Sequence, residues 1–287
     1  MGKTIKLRKY MRDSLRRQYE RGHGTKKHEN GTQGRIYSHN TYNTYLRACD
    51  AYTDFCYSRG VRLPEPAKEL VGAYVASLQA QGKSAWSIYT SVSGIAKAFG
   101  CSISDFNVVL PERRRTNIKR SRQAVAGDAT VNIHSEQYRI LRVFGQCFGL
   151  RRSELQSLQV QDVQILDNAI ICHVRQGKGG KSRNSLFYGS AGELATIKRY
   201  IEQTGEGRLF PKAIDKDIDI HAWRAQYACR VYKAVARPIN TLSHSELYYC
   251  RGDLKGRIYD RHAMLQVSRL LGHNRLDIVA GHYLYTL

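Results

Sequence analysis

A gap in the hydrophobic pattern constrains this chain more than any other feature. Over residues 111–130, PERRRTNIKRSRQAVAGDAT, apolar periodicity stops and cations crowd in as Arg113, Arg114, Arg115, Lys119, Arg120 and Arg122. A segment with no apolar face cannot bury itself in a core, so it divides the chain into two folding regions. The 287 residues leave room for an ordinary domain on either side. A connector that only spaced two domains has no use for so dense a run of cations. One that crosses DNA uses them on phosphates.

The two flanking regions read differently. Before the gap, Tyr42, Tyr45, Leu46, Cys49, Tyr52, Phe55 and Cys56 recur at steps of three and four, the signature of a helix, with Gly60 and Pro64 as stops. Leu70, Val71, Tyr74, Val75 and Leu78 predict a second helix that ends by Gly82. Ser84 is a suitable N-cap for a third helix, which buries Ile88, Val92, Ile95 and Phe99 and stops at Gly100. After the gap, Ile140, Val143, Phe144, Cys147 and Phe148 form a helical face. Val163–Leu166 and Ala169–Val174 read as short strands. Residues 177–181, GKGGK, form a turn between Ile170–Val174 and Ser185–Phe187, so a β-hairpin is expected. Further helices are expected around 191–203, 221–234, 264–271 and 276–285. The fold class is therefore mostly α with a small β-sheet (α+β). The parts are a basic N-terminal arm at 1–27, a helical domain at 28–110, a basic linker at 111–126 and a second domain at 127–287. The arm carries Lys3, Lys6, Arg8, Lys9, Arg12, Arg16, Arg17, Arg21, Lys26 and Lys27. It reads equally as a solvated tail or as a strap along a phosphate backbone.

Charge narrows the partners. Lys and Arg number 46 against 24 acidic residues, a formal net charge of +22. An excess this large points to a polyanion, because each cation that neutralises a phosphate releases a condensed counterion. No run of apolar residues is long enough to span a bilayer, and no apolar core follows the basic start as a signal peptide would require. The seven cysteines are odd in number and widely spaced, which fits reduced thiols in a cytoplasmic protein. No nucleotide-binding glycine motif or zinc spacing occurs, so no cofactor and no metal are expected.

Five short segments carry the candidate chemistry. They are Gly149-Leu150-Arg151-Arg152-Ser153-Glu154-Leu155, the hairpin turn with Lys178, His221-Ala222-Trp223-Arg224, Leu271-Gly272-His273, and Gly281-His282-Tyr283-Leu284-Tyr285. Each alone has an ordinary structural explanation. Tyr283, for instance, is one of 19 tyrosines. Their combination and order resemble the catalytic signature of the tyrosine recombinases, the family of phage integrases, Xer-type resolvases and integrases of mobile elements. The resemblance covers roughly residues 130–287 and is generic over the helical first half. It implies a SAM-like helical core-binding domain joined to a recombinase catalytic domain, closing on DNA as a C-shaped clamp. It further implies a site-specific recombinase that works through a 3′-phosphotyrosine and a Holliday junction. Such an enzyme would act on double-stranded DNA at inverted-repeat core sites, as a homotetramer associated with the nucleoid.

Carried over residue by residue, the resemblance assigns the catalytic set Arg151, Lys178, His221, Arg224, His273 and Tyr283. The Gly-Leu register favours Arg151 over Arg152, and the distance from His273 favours Tyr283 over Tyr285. The chemistry fits these residue types. Two guanidiniums clamp phosphate oxygens and stay charged, a phenol needs a base or a cationic setting, and a lysine on a turn supplies a proton to the leaving oxygen. Glu154 reads as a brace for an arginine. Two other activities share the fold-level expectation: a type IB topoisomerase-like relaxase, and a non-catalytic DNA-binding regulator.

Two departures from the family stand out. The stretch from Arg224 to Leu271 is long, with the extra part near 238–262 carrying Tyr248, Tyr249, Arg251, Lys255, Arg257 and Tyr259. It reads either as a contact to DNA or a neighbouring subunit, or as an ordered surface insertion. The sequence also runs only four residues beyond Tyr283, without the helix that many relatives dock on the adjacent protomer; this reads either as a departure from the usual cyclic exchange or as a chain that has been cut.

Overall fold

The computed structural model describes residues 5–25, 27–114, 131–166, 169–177, 180–273, 275–284 and 287. The chain divides into two compact units, Met1–Ile118 and Lys119–Leu287, and the division falls inside the basic segment.

The first unit is helical: α1 Leu7–Gly22, α2 Lys27–Asn30, α3 His39–Tyr57, α4 Pro64–Lys68, α5 Val71–Ala80 and α6 Ala85–Phe99. The expected caps operate. Ser84 accepts from the Ser87 amide at 3.2 Å, and Gly100 closes α6 in the left-handed region. The amino-terminal segment is not the solvated tail that one of its two readings expected. Leu7, Met11 and Leu15, spaced by four, are wholly buried against Tyr52, Cys56, Ile88 and Ile95. It is therefore a packed core helix with a basic outer face. Some of its charge is used internally, since Arg12 makes two 2.8 Å bonds to Asp50 and Arg8 pairs with Asp54. Lys3 and Lys26 lie outside the described residues.

The second unit is α+β. Its elements are α7 Glu136–Phe148, α8 Arg152–Ser157, β1 Val163–Ile165, β2 Ile170–Val174, β3 Arg183–Leu186, α9 Ala191–Thr204, α10 Ile220–Val235, β4 Leu247–Tyr249, β5 Ile258–Asp260, α11 Arg261–Leu271 and α12 Leu276–Val279. A turn of π-helix, Ala280–Leu284, continues from α12. Strands β1, β2 and β3 form an antiparallel sheet in that order, with Val174 opposite Arg183, so the expected hairpin is present. A second antiparallel pair, β4–β5, lies within the stretch read as an insertion. One apolar cluster gathers α7, the three-stranded sheet and α9 around Phe144, Phe148, Phe210 and Trp223. Another gathers α10, α11 and the Tyr283 segment around Tyr227, Val231, Met264 and Val267.

Gly149 joins this packing to the chemistry. It ends α7 at φ +57°, and a Cβ there would lie 2.3 Å from the Tyr227 ring. Gly149→Ala combines left-handed strain with overpacking, and we expect a loss of about 2–4 kcal/mol. Urea denaturation monitored by tryptophan fluorescence checks this, since Trp223 and Tyr227 lie in the same unit.

Candidate active site

Helix starts and stops bring the candidate residues together. Gly149 halts α7, so Arg151 falls at the N-cap of α8 and Glu154 at its third position. The Glu154 carboxylate accepts from the Arg151 amide at 2.8 Å. Asp219 caps α10 by accepting from the Ala222 amide at 3.0 Å. That places His221 and Arg224 three residues apart on one face of the first turn. Gly272 ends α11 at φ +66° and the His273 amide returns to the Ser268 carbonyl at 2.8 Å.

The centre of the site is a buried ion cluster. The Glu154 side chain is 1% exposed. It accepts from Arg151 Nη1 at 2.7 Å and from Arg183 Nη1 and Nη2 at 2.7 Å each, and lies 3.9 Å from Arg224 Nη1. The end of α11 supplies further acceptors. Arg183 Nε donates to the Leu270 carbonyl at 2.9 Å, while Arg151 Nη2 and Arg224 Nη2 both reach the Leu271 carbonyl at 3.2 Å. These carbonyls have no helical partner and sit at the negative end of the helix dipole. Arg224 also donates to the Gly149 carbonyl, and its Nε has no hydrogen-bond partner among the described residues. Burial pushes the Arg224 guanidinium down from its ordinary range and Arg151 adds to this, while Tyr283 and Glu154 oppose it. Burial alone would raise the Glu154 carboxyl. The bonds and charge of Arg183, then those of Arg151, outweigh burial and hold it at about 2.

Arg151, His221, Arg224, His273 and Tyr283 line one cleft of about 700 Å³. Tyr283 is 3% exposed, and its hydroxyl lies 3.1 Å from His273 Nε2. Its ring centre is 5.0 Å from that of His221 and 5.4 Å from that of His273, with the Arg224 guanidinium carbon 5.8 Å away. Tyr283 thus docks beside the histidines and arginine of its own chain.

The geometry also separates Arg151 from Arg152. Arg152 Nη1 donates to the Ile214 carbonyl at 3.1 Å and Nη2 to the Lys216 carbonyl at 3.3 Å, so it pins the 214–218 loop at the cleft wall. Lys178 and Tyr285 lie outside the described residues. Gly177, next to Lys178, borders the ion cluster, since a Cβ there would be 3.3 Å from Arg183 Nη1 and 3.5 Å from Glu154. Of the expected DNA-contacting cations, Arg113 and Arg114 are exposed. Arg113 lies over the Tyr89 ring at 4.0 Å and Arg114 pairs with Glu112 at 2.7 Å. Arg115, Lys119, Arg120 and Arg122 lie outside the described residues.

Sequence reasoning missed Arg183. Its one signal was strand alternation, because Arg183 and the buried Ser185 fall on the same side of β3. His282, which also lines the cleft, had none beyond its neighbourhood to Tyr283.

No family model matches the sequence, and no curated protein matches it. The fold, however, is shared with solved tyrosine recombinase structures. A lambda integrase dimer bound to a COC′ core site matches with a TM-score of 0.60 at 14% identity, over 98% of this chain and 77% of that one. The Tn1549 transposon integrase in complex with circular intermediate DNA matches with a TM-score of 0.52 at 12% identity, over 97% and 95%. The same integrase with transposon right end DNA gives 0.52 at 14% identity, over 97% and 95%. The chain therefore has the tyrosine recombinase fold, mostly α with small antiparallel sheets, as the resemblance implied.

The ion cluster makes stability depend on acid in a definable way. The folded Glu154 carboxyl lies near 2, below the ordinary value of about 4.3. Its contribution is complete above that ordinary value and is lost as pH falls toward 2. Glu154→Gln should destabilise the protein by about 3 kcal/mol at pH 7, since it leaves buried cations without their anion. The gap between wild type and E154Q in urea denaturation should narrow between pH 4.5 and the folded value of about 2. A gap independent of pH would contradict an ionised Glu154.

Proposed function

We propose that this protein is a site-specific tyrosine recombinase that cleaves and rejoins DNA through a 3′-phosphotyrosine at Tyr283. One observation carries the reading. Three guanidiniums, Arg151, Arg183 and Arg224, share a single carboxylate beside a cleft that also holds the Tyr283 hydroxyl. The carbonyls of α11 add partial negative charge but no full anion. The cluster keeps an excess of positive charge, and a phosphodiester is the complement that a phenol can attack.

In this mechanism the scissile phosphate enters between Arg151 and Arg224. The Tyr283 oxygen attacks phosphorus and the bond to the 5′-oxygen breaks. His273, 3.1 Å from the phenol, accepts its proton. Lys178 donates a proton to the departing 5′-oxygen, and His221 hydrogen-bonds a non-bridging oxygen. Attack by a 5′-hydroxyl on the phosphotyrosine reverses each transfer, so rejoining needs no external energy. Charge stabilisation of this pre-positioned kind is worth a factor of about 10²–10³ per donor. Strand exchange would pair inverted-repeat core sites in a tetramer through a Holliday junction. The fold shared with two integrases solved on DNA supports DNA as the partner.

A nicked suicide duplex carrying the ends of the host element tests the chemistry. Wild type should form a covalent adduct and Tyr283→Phe should form none. An adduct that survives in Y283F but is lost with Tyr285→Phe would overturn the assignment. DNA binding without any adduct would favour a regulator, and supercoil relaxation without paired-site recombination would favour a relaxase.

The basic linker generates a separate expectation. If Arg113, Arg114, Arg115, Lys119, Arg120 and Arg122 each neutralise a phosphate, replacing all of them by Gln should flatten the slope of log K against log salt by about 5. Binding titrations at several salt concentrations measure it, and an unchanged slope removes the linker from the interface.

A further inference from the structure

The stretch between Arg224 and Leu271 is tied at both ends. At its base, Arg237 grips Asp260 through its amide at 3.0 Å, Nε at 2.9 Å and Nη2 at 2.9 Å, and reaches Glu246 with Nη1 at 2.6 Å. Asp260 also caps α11, accepting from the His262 amide at 2.8 Å, while its own amide donates to the Tyr232 hydroxyl at 2.9 Å. One carboxylate thus fixes the β4–β5 pair to the helix that leads into His273.

At the other end the pair holds the nucleophile segment. The buried Tyr259 donates its hydroxyl to the Leu284 carbonyl at 2.9 Å, and Arg257 Nη1 donates to the main-chain oxygen of Leu287 at 2.6 Å. Tyr248, Cys250, Leu254 and Tyr259 share one apolar cluster with Leu276, Val279, Tyr283 and Leu284. The segment has little regular structure of its own: α12 spans 4 residues and is followed by a single π turn. So short a helix does not hold its shape without outside contacts.

We propose that residues 237–260 are a positioning clamp that seats Tyr283 in the active site of its own chain, with Tyr259 and Arg257 as positioning residues. The catalytic readout rests on the recombinase reading above, whereas the structural readout does not. The clamp acts on the backbone one residue beyond Tyr283, through Tyr259, and four residues beyond it, through Arg257, and touches no reacting atom. Its loss should therefore slow the chemical step while leaving DNA affinity intact.

The test uses the full chain with Tyr259→Phe, Arg257→Gln and Arg257→Lys. Tyr259→Phe keeps the ring and removes the donor, and Arg257 is exposed, so its replacement leaves the core untouched. Amide exchange read by mass spectrometry on DNA-free protein should speed up in 276–284 for Y259F and R257Q, with the rest of the second unit unchanged. Single-turnover adduct formation at saturating nicked duplex should fall about 2- to 10-fold, the worth of one hydrogen bond, with Kd for DNA within twofold, and R257K should restore the rate. Unchanged exchange in 276–284, or faster exchange throughout the unit, overturns the clamp. Locally faster exchange in a protein whose wild type forms no adduct upholds the clamp and removes the recombinase reading.

Discussion

The site depends on one carboxylate. Glu154 is nearly sealed from solvent and contacts Arg151, Arg183 and Arg224 at once. Burying that many guanidiniums without an anion would be prohibitive, and a second carboxylate would halve the net positive charge that three guanidiniums and one carboxylate leave. The structure takes a middle course. It supplies one full charge from Glu154 and the remaining acceptors from the carbonyls of Leu270 and Leu271 at the end of α11. The arginines are held firmly, yet the cluster stays cationic.

That arrangement dictates much of the surrounding backbone. Arginines can reach the last carbonyls of α11 only if the chain turns away sharply, and Gly272 does so at φ +66° with Arg183 Cδ only 3.0 Å from where a Cβ would be. The Arg183 bonds also tie β3, and with it the β2–β3 hairpin, to both Glu154 and α11. Hairpin, α8 and α11 meet at one point, so displacing any of them disturbs the others.

The site was partly legible in sequence because five short segments, in type and order, resemble the tyrosine recombinase signature. The structure adds what sets their register: Gly149, Asp219 and Gly272 stop or start the helices beside Arg151, His221, Arg224 and His273. The short helix Pro64–Lys68 starts at a proline that reads as a stop, whereas the helices His39–Tyr57, Val71–Ala80 and Ala85–Phe99 were legible through their apolar spacing. Arg183 was not, because a strand too short to show clear alternation hides an inward charge. The amino-terminal helix was obscured by composition, since its cations mask Leu7, Met11 and Leu15 at helical spacing. Arg237 and Asp260 were illegible for a different reason. Their partnership spans 23 residues and exists only once β4 and β5 have paired.

Two kinds of constraint therefore converge on Tyr283. The arginines sit on well-packed helices and a sheet, so their geometry is set by the core. The tyrosine sits on a short helix and a π turn, so its geometry is set by what is laid against it. In the proposed reaction the phenol is a weak nucleophile, whose reactivity would depend steeply on the distance to its base and to the phosphate. The 3.1 Å between Tyr283 and His273 holds only while the 280–284 turn keeps its place. Asp260 connects the two constraints, because the carboxylate that caps α11, and so supports His273, also anchors the strands that hold Leu284.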